Sequence, residues 1–443
     1  MEQRKPIISL IVTVYNLEKY LAACLDSILG QSGNDYEIVL INNNSTDNSG
    51  NICSDYAARY SKIRYFFLDG ESVMWRAHRY GLKKAYGDYV WFIDGDDMLT
   101  ENAYETVVKT LRKTRTEVLF ARFNTFLEGS VASFTDIPYE TVYINEHSKD
   151  EALEYLIEKQ QPVLPTWRLI FSRALYNDII RHEKFTELMC NAHQDTGFNV
   201  FILVSAKSIH YIDKAIYNYR VRTTSISRTD PSKKILAYCK VLLMYTRVAH
   251  DLVKTEAERN FTYAYYKQFL FLLSTIVCEA DAHWNQVICD DIDNYTKAID
   301  IIRDIVLKKD FFFVDKLISQ GAAIALAAHK EYCQNKLSQI SAAVKNKGGK
   351  VYLAPIGNVG IFLKTALEQQ GLIISGFFDN DQVKDGMEIA GSVVHLPTIA
   401  AEISANQPIT ILIGASYTSV PKQLKQQFIS LGIPESDLII IEF

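Results

Sequence analysis

The amino-acid sequence predicts an α/β fold at both ends of the chain, with a helical region between them. Three observations support this prediction. Short, nearly continuous apolar runs recur at the start of the chain, glycine and proline almost vanish between residues 229 and 345, where Gly321 and Pro231 are the only examples, and apolar runs return after residue 346. Continuous apolar runs indicate strands buried on both faces, and a long stretch without helix breakers indicates helices. The sequence therefore predicts mostly parallel sheets at the two ends of the chain.

These changes in composition also predict the domain organisation. We place an α/β domain at residues 1–228, a helical bridging region at 229–345 and a smaller α/β domain at 346–443. A chain of 443 residues agrees with this division, since domains usually contain about 150 residues.

Four strands are predicted in the first domain. The helix after the first strand has apolar residues at helical spacing from Leu17 to Ile28, with Asn16 as its predicted N-cap and Gly30 at its end. The predicted strands are residues 7–14, 37–41, 63–67 and 89–93.

The same criteria extend through the rest of the chain. The predicted helices of the bridging region are 232–254, 257–282, 288–308 and 311–345. In the last domain, strands are predicted at 350–354, 373–378, 392–395, 409–413 and 438–442, and helices at 359–370 and 418–431.

The composition excludes several classes of protein. With 48% apolar residues the chain is able to form cores, which excludes a disordered protein, and a net charge of −5 without a basic domain argues against a nucleic-acid binder. The most apolar window, 269–277, is about half as long as a bilayer requires, and the first residues show no signal-peptide pattern. Seven scattered cysteines indicate reduced thiols. We therefore predict a cytoplasmic protein without a transmembrane segment.

Polar residues follow three of the predicted strands. They are Tyr15–Asn16, the run 42–44 of three asparagines, and the run 94–97, which reads Asp-Gly-Asp-Asp. Ligands of parallel α/β sheets bind at the carboxyl ends of the strands, so these residues are candidates for a binding site. Three carboxylates within four residues repel one another unless a cation lies among them, and oxygen ligands suit Mg²⁺ or Mn²⁺. A solvated turn is the alternative interpretation.

Five segments in a fixed order carry a more specific signal. They are 7–16 (IISLIVTVYN), 37–49 (EIVLINNNSTDNS), 85–97 (AYGDYVWFIDGDD), 193–198 (HQDTGF) and 217–220 (YNYR), the last followed by SIS at 225–227. Together they resemble the motifs of the family 2 glycosyltransferases, and the resemblance covers residues 6–228. It implies a GT-A fold, a nucleotide-sugar donor (UDP or dTDP), a Mn²⁺ or Mg²⁺ cofactor and inversion at the sugar's anomeric carbon.

The resemblance also implies roles for individual residues. Asp96 is expected to be a metal ligand, and Asp94 to contact the donor ribose or share the metal, with Asp97 supporting both. Asp195 is expected to be the catalytic base that takes the proton of the acceptor hydroxyl. Thr13, Tyr15 and Asn43 occupy the positions that bind the nucleobase.

The chain departs from the family pattern at several positions. Asn42 to Asn44 replace the usual Asp-Asp-Gly, and because an amide accepts or donates hydrogen bonds, a cytidine donor remains an alternative to uridine or thymidine. Gln194 replaces the usual glutamate beside the expected base. Arg79, Arg220 and Arg222 are either contacts for the diphosphate or solvated surface residues.

The last domain contains a weaker motif. Pro355, Gly357 and Gly360 follow a strand and open a helix, which resembles the glycine-rich turn of a Rossmann-like unit, and Asp379 ends the next strand where an acid would bind a ribose. A nucleotide pocket and a docking or oligomerisation module are the two interpretations. We favour the second, because Pro355 crowds the place where backbone must approach a diphosphate.

The resulting functional hypothesis is a glycosyltransferase of bacterial surface polysaccharide synthesis. Its expected partners are the nucleotide sugar and a glycan or lipid-linked oligosaccharide acceptor, without nucleic acid. Location at the inner face of the cytoplasmic membrane, peripheral membrane contact and homo-oligomers are left open. The alternative is a non-catalytic scaffold with a transferase-like shell. Nucleotidyl transfer is disfavoured, because the first strand-to-helix turn lacks a glycine-rich, lysine-bearing phosphate loop.

Overall fold

The computed structural model describes residues 5–127, 149–158, 165–180, 194–221, 231–279, 285–298, 311–415 and 420–442, with the side chains of 127, 158, 180, 194–196, 231–233, 279, 298, 358 and 383 left aside. Within it the chain forms two compact units. The first contains residues 1–155, 163–229 and 251–259, and the second contains 156–162, 230–250 and 260–443. The division into three domains remains a prediction.

The first unit is built around an eight-stranded sheet in the described part of the chain. Its strands are β1 (Ile8–Val14), β2 (Tyr36–Asn42), β3 (Ile63–Phe67), β4 (Tyr89–Asp94), β5 (Met98–Leu99), β6 (Val118–Leu127), β7 (Leu169–Ser172) and β8 (Ile209–Val221). Its helices are α1 (Leu21–Leu29), α2 (Ser49–Arg59), α3 (Met74–Lys84), α4 (Ala103–Thr114), α5 (Lys149–Glu158), α6 (Arg173–Ile180) and α7 (Gln194–Ser205).

The strand order is β3-β2-β1-β4-β7-β6-β8-β5. Strands β3, β2, β1 and β4 are parallel, as the sequence predicts, and each predicted boundary lies within one residue of the observed one. Strand β7 enters antiparallel between β4 and β6, and β5 pairs antiparallel with β8, so the sheet is mixed. The sequence does not predict this half of the sheet, because its strands pair with partners far away in the chain.

The helices cover both faces of the sheet. Leu10 and Val12 of β1 lie in one core with α1, α2 and α4. Ile11 points the other way and packs on α3, where a side chain at Gly81 would collide with it. This alternation is the period of two that a strand imposes, and it explains why β1 is apolar on both faces.

The second unit combines helices with a second sheet. Its helices are α8 (Pro231–Asp251), most of α9 (Glu256–Glu279), α10 (Gln286–Ala298), α11 (Phe312–Gln320) and α12 (Ala322–Lys347). The single helix predicted at 311–345 is divided at Gly321, whose φ of 85° belongs to the left-handed region that glycine tolerates best. Part of the helix predicted at 288–308 lies outside the described residues. Within the described residues, no helix is long and apolar enough to cross a bilayer.

The second sheet has the strand order β11-β12-β10-β9-β13-β14. Its elements are β9 (Lys350–Ala354), α13 (Asn358–Gln369), β10 (Ile374–Phe378), β11 (Glu388–Ile389), β12 (Ser392–His395), α14 (Ala400–Asn406), β13 (Ile409–Ile413), α15 (Val420–Ser430) and β14 (Leu438–Ile440). The parallel pairs agree with the predicted α/β alternation. The antiparallel edge strand β11 and helix α14 are too short to give a sequence signal.

Candidate active site

The carboxyl ends of β1, β2 and β4 meet at one edge of the first sheet. Thr13 is in register with Ile41 of β2 and Asp94 of β4, and the N–H of Asn43 donates to the carbonyl of Val14 at 2.8 Å. The parallel register therefore brings the asparagine run and the acidic run to the two sides of β1. This is the juxtaposition that the sequence predicts from the strand-end rule.

The acidic run forms a tight turn at the end of β4. The N–H of Gly95 donates to the carbonyl of Thr13 at 3.1 Å, and the N–H of Asp97 donates to the carbonyl of Asp94 at 3.0 Å. A Cβ at Gly95 would lie 2.9 Å from the oxygen of Thr13, so the turn requires glycine for this close approach.

Strand β8 holds the carboxylate of Asp97. The Tyr217 hydroxyl donates to one of its oxygens at 2.8 Å and the N–H of Arg220 to the other at 2.7 Å. Asp97 is only 1% exposed, and burial raises its pKa, as do the charges of Asp94 and Asp96, while the two hydrogen bonds act in the opposite direction. Asp97 is therefore committed to bracing the turn, and the supporting role that the resemblance implies for it stays a prediction.

Asp94 and Asp96 are the half-buried acids of the turn. Among the described residues, no group of three or more His, Cys, Asp or Glu side chains comes together as a metal site. Asp97 is committed to β8, and Asp94 and Asp96 lie beside it in the same turn. Their charges raise the pKa of Asp97, which is the repulsion that a divalent cation would relieve, so the donor set fits Mg²⁺ or Mn²⁺.

Arg220 lies against the turn rather than in open solvent. Its Nε donates to the carbonyl of Asp96 at 2.8 Å, and its guanidinium lies 4.5 Å from the ring centroid of Phe126 and 5.0 Å from that of Tyr20. The arginine thus fixes the backbone of Asp96 and places a positive charge beside the acids. Arg222, the other arginine singled out in this part of the sequence, lies outside the described residues.

Asn43 differs from its two asparagine neighbours. Asn42 accepts the N–H of Ser45 at 2.9 Å, and the amide of Asn44 donates to the carbonyl of Gly70 at 2.8 Å. Asn43 is 3% exposed, and its Oδ1 has no hydrogen-bond partner among the described residues. An unpaired buried acceptor is costly unless a ligand supplies the donor, so Asn43 is the member of the run that has capacity for a ligand.

Thr13 and Tyr15 lie on the same edge with different exposure. Thr13 is 9% exposed at the end of β1, whereas the Tyr15 side chain is 40% exposed. A tyrosine ring with one open face is able to stack on an aromatic base. The arrangement of Thr13, Tyr15 and Asn43 therefore agrees with a base pocket, although their role remains a prediction.

The loops after β1 and β2 are bonded to each other. Asn16 has a φ of 54°, and its Oδ1 accepts the N–H of Thr46 at 2.8 Å, so it does not act as the predicted helix N-cap; α1 begins at Leu21. Asp47 accepts the N–H groups of Glu18 and Ser49. Burial tends to raise the pKa of Asp47, but these hydrogen bonds outweigh it and lower the pKa. The sequence does not predict this network, because its donors and acceptors belong to two separate loops.

Asp195, the expected catalytic base, belongs to the first turn of α7, but its side chain lies outside the described residues, as does His193. The helix itself is well anchored. Phe198 is fully buried, with its ring centroid 5.2 Å from that of Trp75 and 6.3 Å from that of Phe92. Helix α7 therefore packs against the strand that ends at Asp94. The assignment of Asp195 stays a prediction.

In the second sheet, the acid at the corresponding turn is hydrogen-bonded by nearby residues of the same chain. Asp379 follows β10, is 7% exposed, and accepts the N–H groups of Ile356 at 3.1 Å and Asp381 at 2.9 Å. Lys384 approaches the same carboxylate at 3.5 Å. Asp379 thus satisfies the loop after β9, and this use of its oxygens favours the docking interpretation over a ribose contact.

Comparison with known proteins identifies the segment that carries the first site. Residues 9–175 match the model of glycosyl transferase family 2. The glycosyltransferase GlyG of Streptococcus pneumoniae is 27% identical over 231 residues, which are 51% of this chain and 74% of GlyG. GlyA of the same organism is 28% identical over 230 residues, and the match spans only 32% of that longer relative. GgaB of Bacillus subtilis, a minor teichoic acid biosynthesis protein, is 25% identical over 308 residues, again 32% of its length.

Solved structures show the same fold. Residues 1–349 of Staphylococcus aureus TarS, in complex with UDP-GlcNAc, align with a TM-score of 0.53 and 17% identity over 74% of this chain and 92% of that one. A second TarS structure aligns with a TM-score of 0.52 over 74% of this chain and 53% of that one. Residues 9–175 therefore form a glycosyltransferase segment of family 2, carried on a sheet with the GT-A fold.

Proposed function

We propose that this chain transfers a sugar from a nucleotide-sugar donor to a growing surface glycan, with inversion at the anomeric carbon. The observation that carries the proposal is the edge of the first sheet, where the turn of Asp94 and Asp96 lies across β1 from the buried acceptor of Asn43. One side suits a diphosphate with its cation, and the other suits a base.

The donor is proposed to be a UDP or dTDP sugar. The unpaired Oδ1 of Asn43 is an acceptor, and uracil and thymine carry an N–H at the ring position where cytosine has an acceptor instead. Tyr15, with its half-open ring, would stack on the base, and Thr13 would border it. The TarS structure holds a uridine donor, UDP-GlcNAc, which agrees with this choice. A cytidine donor would require the side-chain amide of Asn43 to flip, so that its NH₂ group faces the base.

The chemistry needs a stabilised leaving group and an activated hydroxyl. A divalent cation held by Asp94 and Asp96 would offset the negative charge that develops on the departing diphosphate. Arg220 keeps the backbone of Asp96 in place through its bond to that carbonyl. Asp195 is proposed to accept the proton of the acceptor hydroxyl, which then attacks the anomeric carbon opposite the diphosphate and inverts its configuration.

A donor panel tests the proposal. The protein is incubated with Mn²⁺, an acceptor preparation and individual nucleotide sugars, and release of nucleoside diphosphate is measured. We expect Asp195→Asn to abolish turnover while donor binding stays nearly unchanged. Full activity in Asp195→Asn would place the base elsewhere.

The same panel separates the enzyme from the scaffold alternative. Metal-dependent donor binding without release of diphosphate from any donor, with every acceptor preparation, would favour a non-catalytic binding protein. Competition by UMP, dTMP and CMP then reports the base. Failure of all three to compete would refute the donor-site assignment.

The acceptor is proposed to be a glycan or lipid-linked oligosaccharide reached from the cytoplasmic side of the membrane. A local feature supports membrane contact: residues 59–86 contain seven Lys and Arg against two Asp and Glu, a net charge of +5 in a chain whose total is −5. In this segment Lys84 lies 5.3 Å from the ring centroid of Tyr80, and Tyr86 is 56% exposed, whereas Arg64 is paired with Glu37 at 2.7 Å. Cations interleaved with aromatic rings suit an anionic lipid surface.

Vesicle sedimentation checks the membrane contact. We expect binding to vesicles of phosphatidylcholine with phosphatidylglycerol, and little binding to phosphatidylcholine alone. Lys83→Gln with Lys84→Gln should weaken binding about tenfold. Lys109→Gln with Lys113→Gln, which removes the same charge from another helix, should not. Equal weakening in both double variants would argue against a local membrane face.

The last domain is proposed to serve docking or self-association rather than nucleotide binding. The support is Asp379, whose carboxylate is used by Ile356, Asp381 and Lys384. Calorimetric titration of the full chain with NAD tests this proposal. Saturable NAD binding that Gly357→Trp removes would overturn it.

A further inference from the structure

A buried tyrosine of β8 joins the first and last residues of the acidic turn, residues 94–97. The N–H of Asp94 donates to the Tyr217 hydroxyl at 3.1 Å, and this hydroxyl donates to the carboxylate of Asp97 at 2.8 Å. Because the hydroxyl oxygen accepts from Asp94, its single hydrogen is available for Asp97. The two acids are also joined directly, since the N–H of Asp97 donates to the carbonyl of Asp94 at 3.0 Å. The Tyr217 hydroxyl therefore bridges the two ends of the turn that carries Asp96.

An aromatic stack holds the ring of Tyr217 in place. Its centroid lies 4.3 Å from that of Trp167, with 6° between the two ring planes, and both side chains are buried. The carbonyl of Trp167 accepts the indole N–H of Trp91, a residue of β4, at 2.9 Å. Strand β4 thus fixes Trp167, Trp167 packs on Tyr217, and Tyr217 bonds to the end of β4. A ring packed this closely keeps its hydroxyl directed at the turn.

We propose that Tyr217 is a positioning residue for the cation site, acting through the backbone of Asp94 and the carboxylate of Asp97. This inference rests on the proposed function, in which Asp94 and Asp96 hold a divalent cation. The hydroxyl bridge fixes the backbone from which these two carboxylates extend, so the turn is shaped before a cation binds. Carboxylates this near to one another repel, and that repulsion favours a more open turn. The bridge from Tyr217 opposes such opening.

Tyr217→Phe isolates the hydroxyl from the ring. The variant keeps the aromatic face that packs on Trp167 and loses the two hydrogen bonds to Asp94 and Asp97. The N–H of Arg220 still donates to the other oxygen of Asp97 at 2.7 Å. The turn therefore keeps part of its support, and we expect cation binding to weaken rather than to disappear.

The chain offers a matched control in Tyr36. This tyrosine is buried in the same core as Tyr217, and its hydroxyl donates to the carbonyl of Ile28 in α1 at 3.1 Å. It is the first residue of β2, so it lies at the opposite end of that strand from Asn42 and the candidate site. Tyr36→Phe thus removes one buried hydroxyl and its hydrogen bond without changing a contact of the acidic turn.

Binding of Mn²⁺ to the full-length protein tests the inference without turnover. Free Mn²⁺ is measured by electron paramagnetic resonance in the presence of UDP and without an acceptor, and UDP alone gives the baseline. We expect Tyr217→Phe to raise the Mn²⁺ dissociation constant about tenfold. Tyr36→Phe should leave this constant unchanged.

Two further measurements separate positioning from folding. Thermal unfolding without Mn²⁺ reports whether Tyr217→Phe is folded. Should it not fold, Trp167→Phe replaces it, because this variant keeps the Tyr217 hydroxyl and reduces only the stack behind the ring; it should raise the dissociation constant by a smaller factor. In transfer assays, the loss of rate in Tyr217→Phe should shrink as Mn²⁺ approaches saturation, since a buried hydroxyl does not touch the substrate.

The outcomes separate this inference from the proposed function. A loss of Mn²⁺ affinity in Tyr217→Phe that Tyr36→Phe does not share supports it. Wild-type affinity in the folded Tyr217→Phe, wild-type affinity in the Trp167→Phe replacement, or an equal loss in Tyr36→Phe would overturn it and leave the proposed function in place. A wild-type protein that binds no Mn²⁺ with UDP would instead refute the cation site of the proposed function, and the positioning role with it.

Discussion

The two sheets of this chain end in similar turns that are used in different ways. In both, an aspartate lies at the end of a buried strand: Asp94 is the last residue of β4 in the first sheet, and Asp379 follows β10 in the second. In the first sheet the turn exposes two half-buried acids and leaves the oxygen of Asn43 unpaired. In the second, Asp379 accepts two N–H groups of its own loops. The first strand end is therefore the stronger candidate site, because a buried acceptor beside it has no partner among the described residues.

The largest expected difference between the two turns is in catalysis. Asp96→Ala removes a carboxylate proposed to hold the cation, so we expect transfer to fall by about 1,000-fold or more, with loss of metal-dependent donor binding. Asp381→Ala, the equivalent change beside Asp379, should leave transfer unchanged. Diphosphate release measures both. Comparable losses in the two variants would remove the distinction between the turns.

The second difference is in stability. Asp379→Ala leaves the N–H groups of Ile356 and Asp381 without their acceptor, and we expect it to cost about 1–3 kcal/mol of unfolding free energy. Asp379→Asn keeps one acceptor and should cost less. Denaturant unfolding measures the stability of both variants, and transfer assays on the folded protein show whether activity changes as well. A loss of transfer without a loss of stability would indicate that the second turn takes part in the reaction.

A smaller effect is expected at the unpaired acceptor. Asn43→Ala removes one hydrogen bond to the base, so the donor KM should rise about tenfold while kcat stays nearly constant. Asn43→Asp retains an acceptor and should recover most of the affinity for a uridine donor. Steady-state kinetics with the best donor of the panel gives both values, and an unchanged KM in Asn43→Ala would exclude contact with the base.

The smallest expected effect concerns the loop network beside the site. The pKa of Asp47 is lowered in the folded protein relative to its ordinary value of 3.8. A group with a depressed pKa stabilises the fold at a pH above its unfolded-state pKa. This stabilisation is lost as the pH falls through its folded-state pKa. Asp47→Asn should therefore lower the melting temperature slightly at pH 7, and the difference from the wild type should shrink below about pH 3.8. A difference that grows on acidification would contradict the network.

Much of the first site could be predicted from the sequence because its signals are local. The strands β1, β2 and β4 are continuous apolar runs, and the polar residues follow them directly. The parallel register then brings Thr13 and Asp94 side by side, as the strand-end rule requires. The bracing of Asp97 by Tyr217 and Arg220 could not be derived in this way, since those residues lie 120 and 123 positions away in the chain.

Totals over long segments hide other features. The first domain has a charge of −3 as a whole, yet residues 59–86 carry +5. The seven cysteines look uniform in the sequence because no spacing sets one apart. Only the folded chain places His329 2.8 Å from Ser274 of α9 and 3.8 Å from the sulfur of Cys333.

The sequence by itself determined the α/β class, the positions of the parallel strands along the chain and the polar residues that follow them. It could do so because hydrophobic periodicity and turn chemistry are properties of neighbouring residues. Tertiary structure decided which of those polar residues remain available. Asn43 keeps an open acceptor while Asn42 and Asn44 are bonded, and Asp97 and Asp379 are committed to partners within the chain. Whether a polar group is satisfied depends on partners brought in from distant segments, and that information exists only in the folded chain.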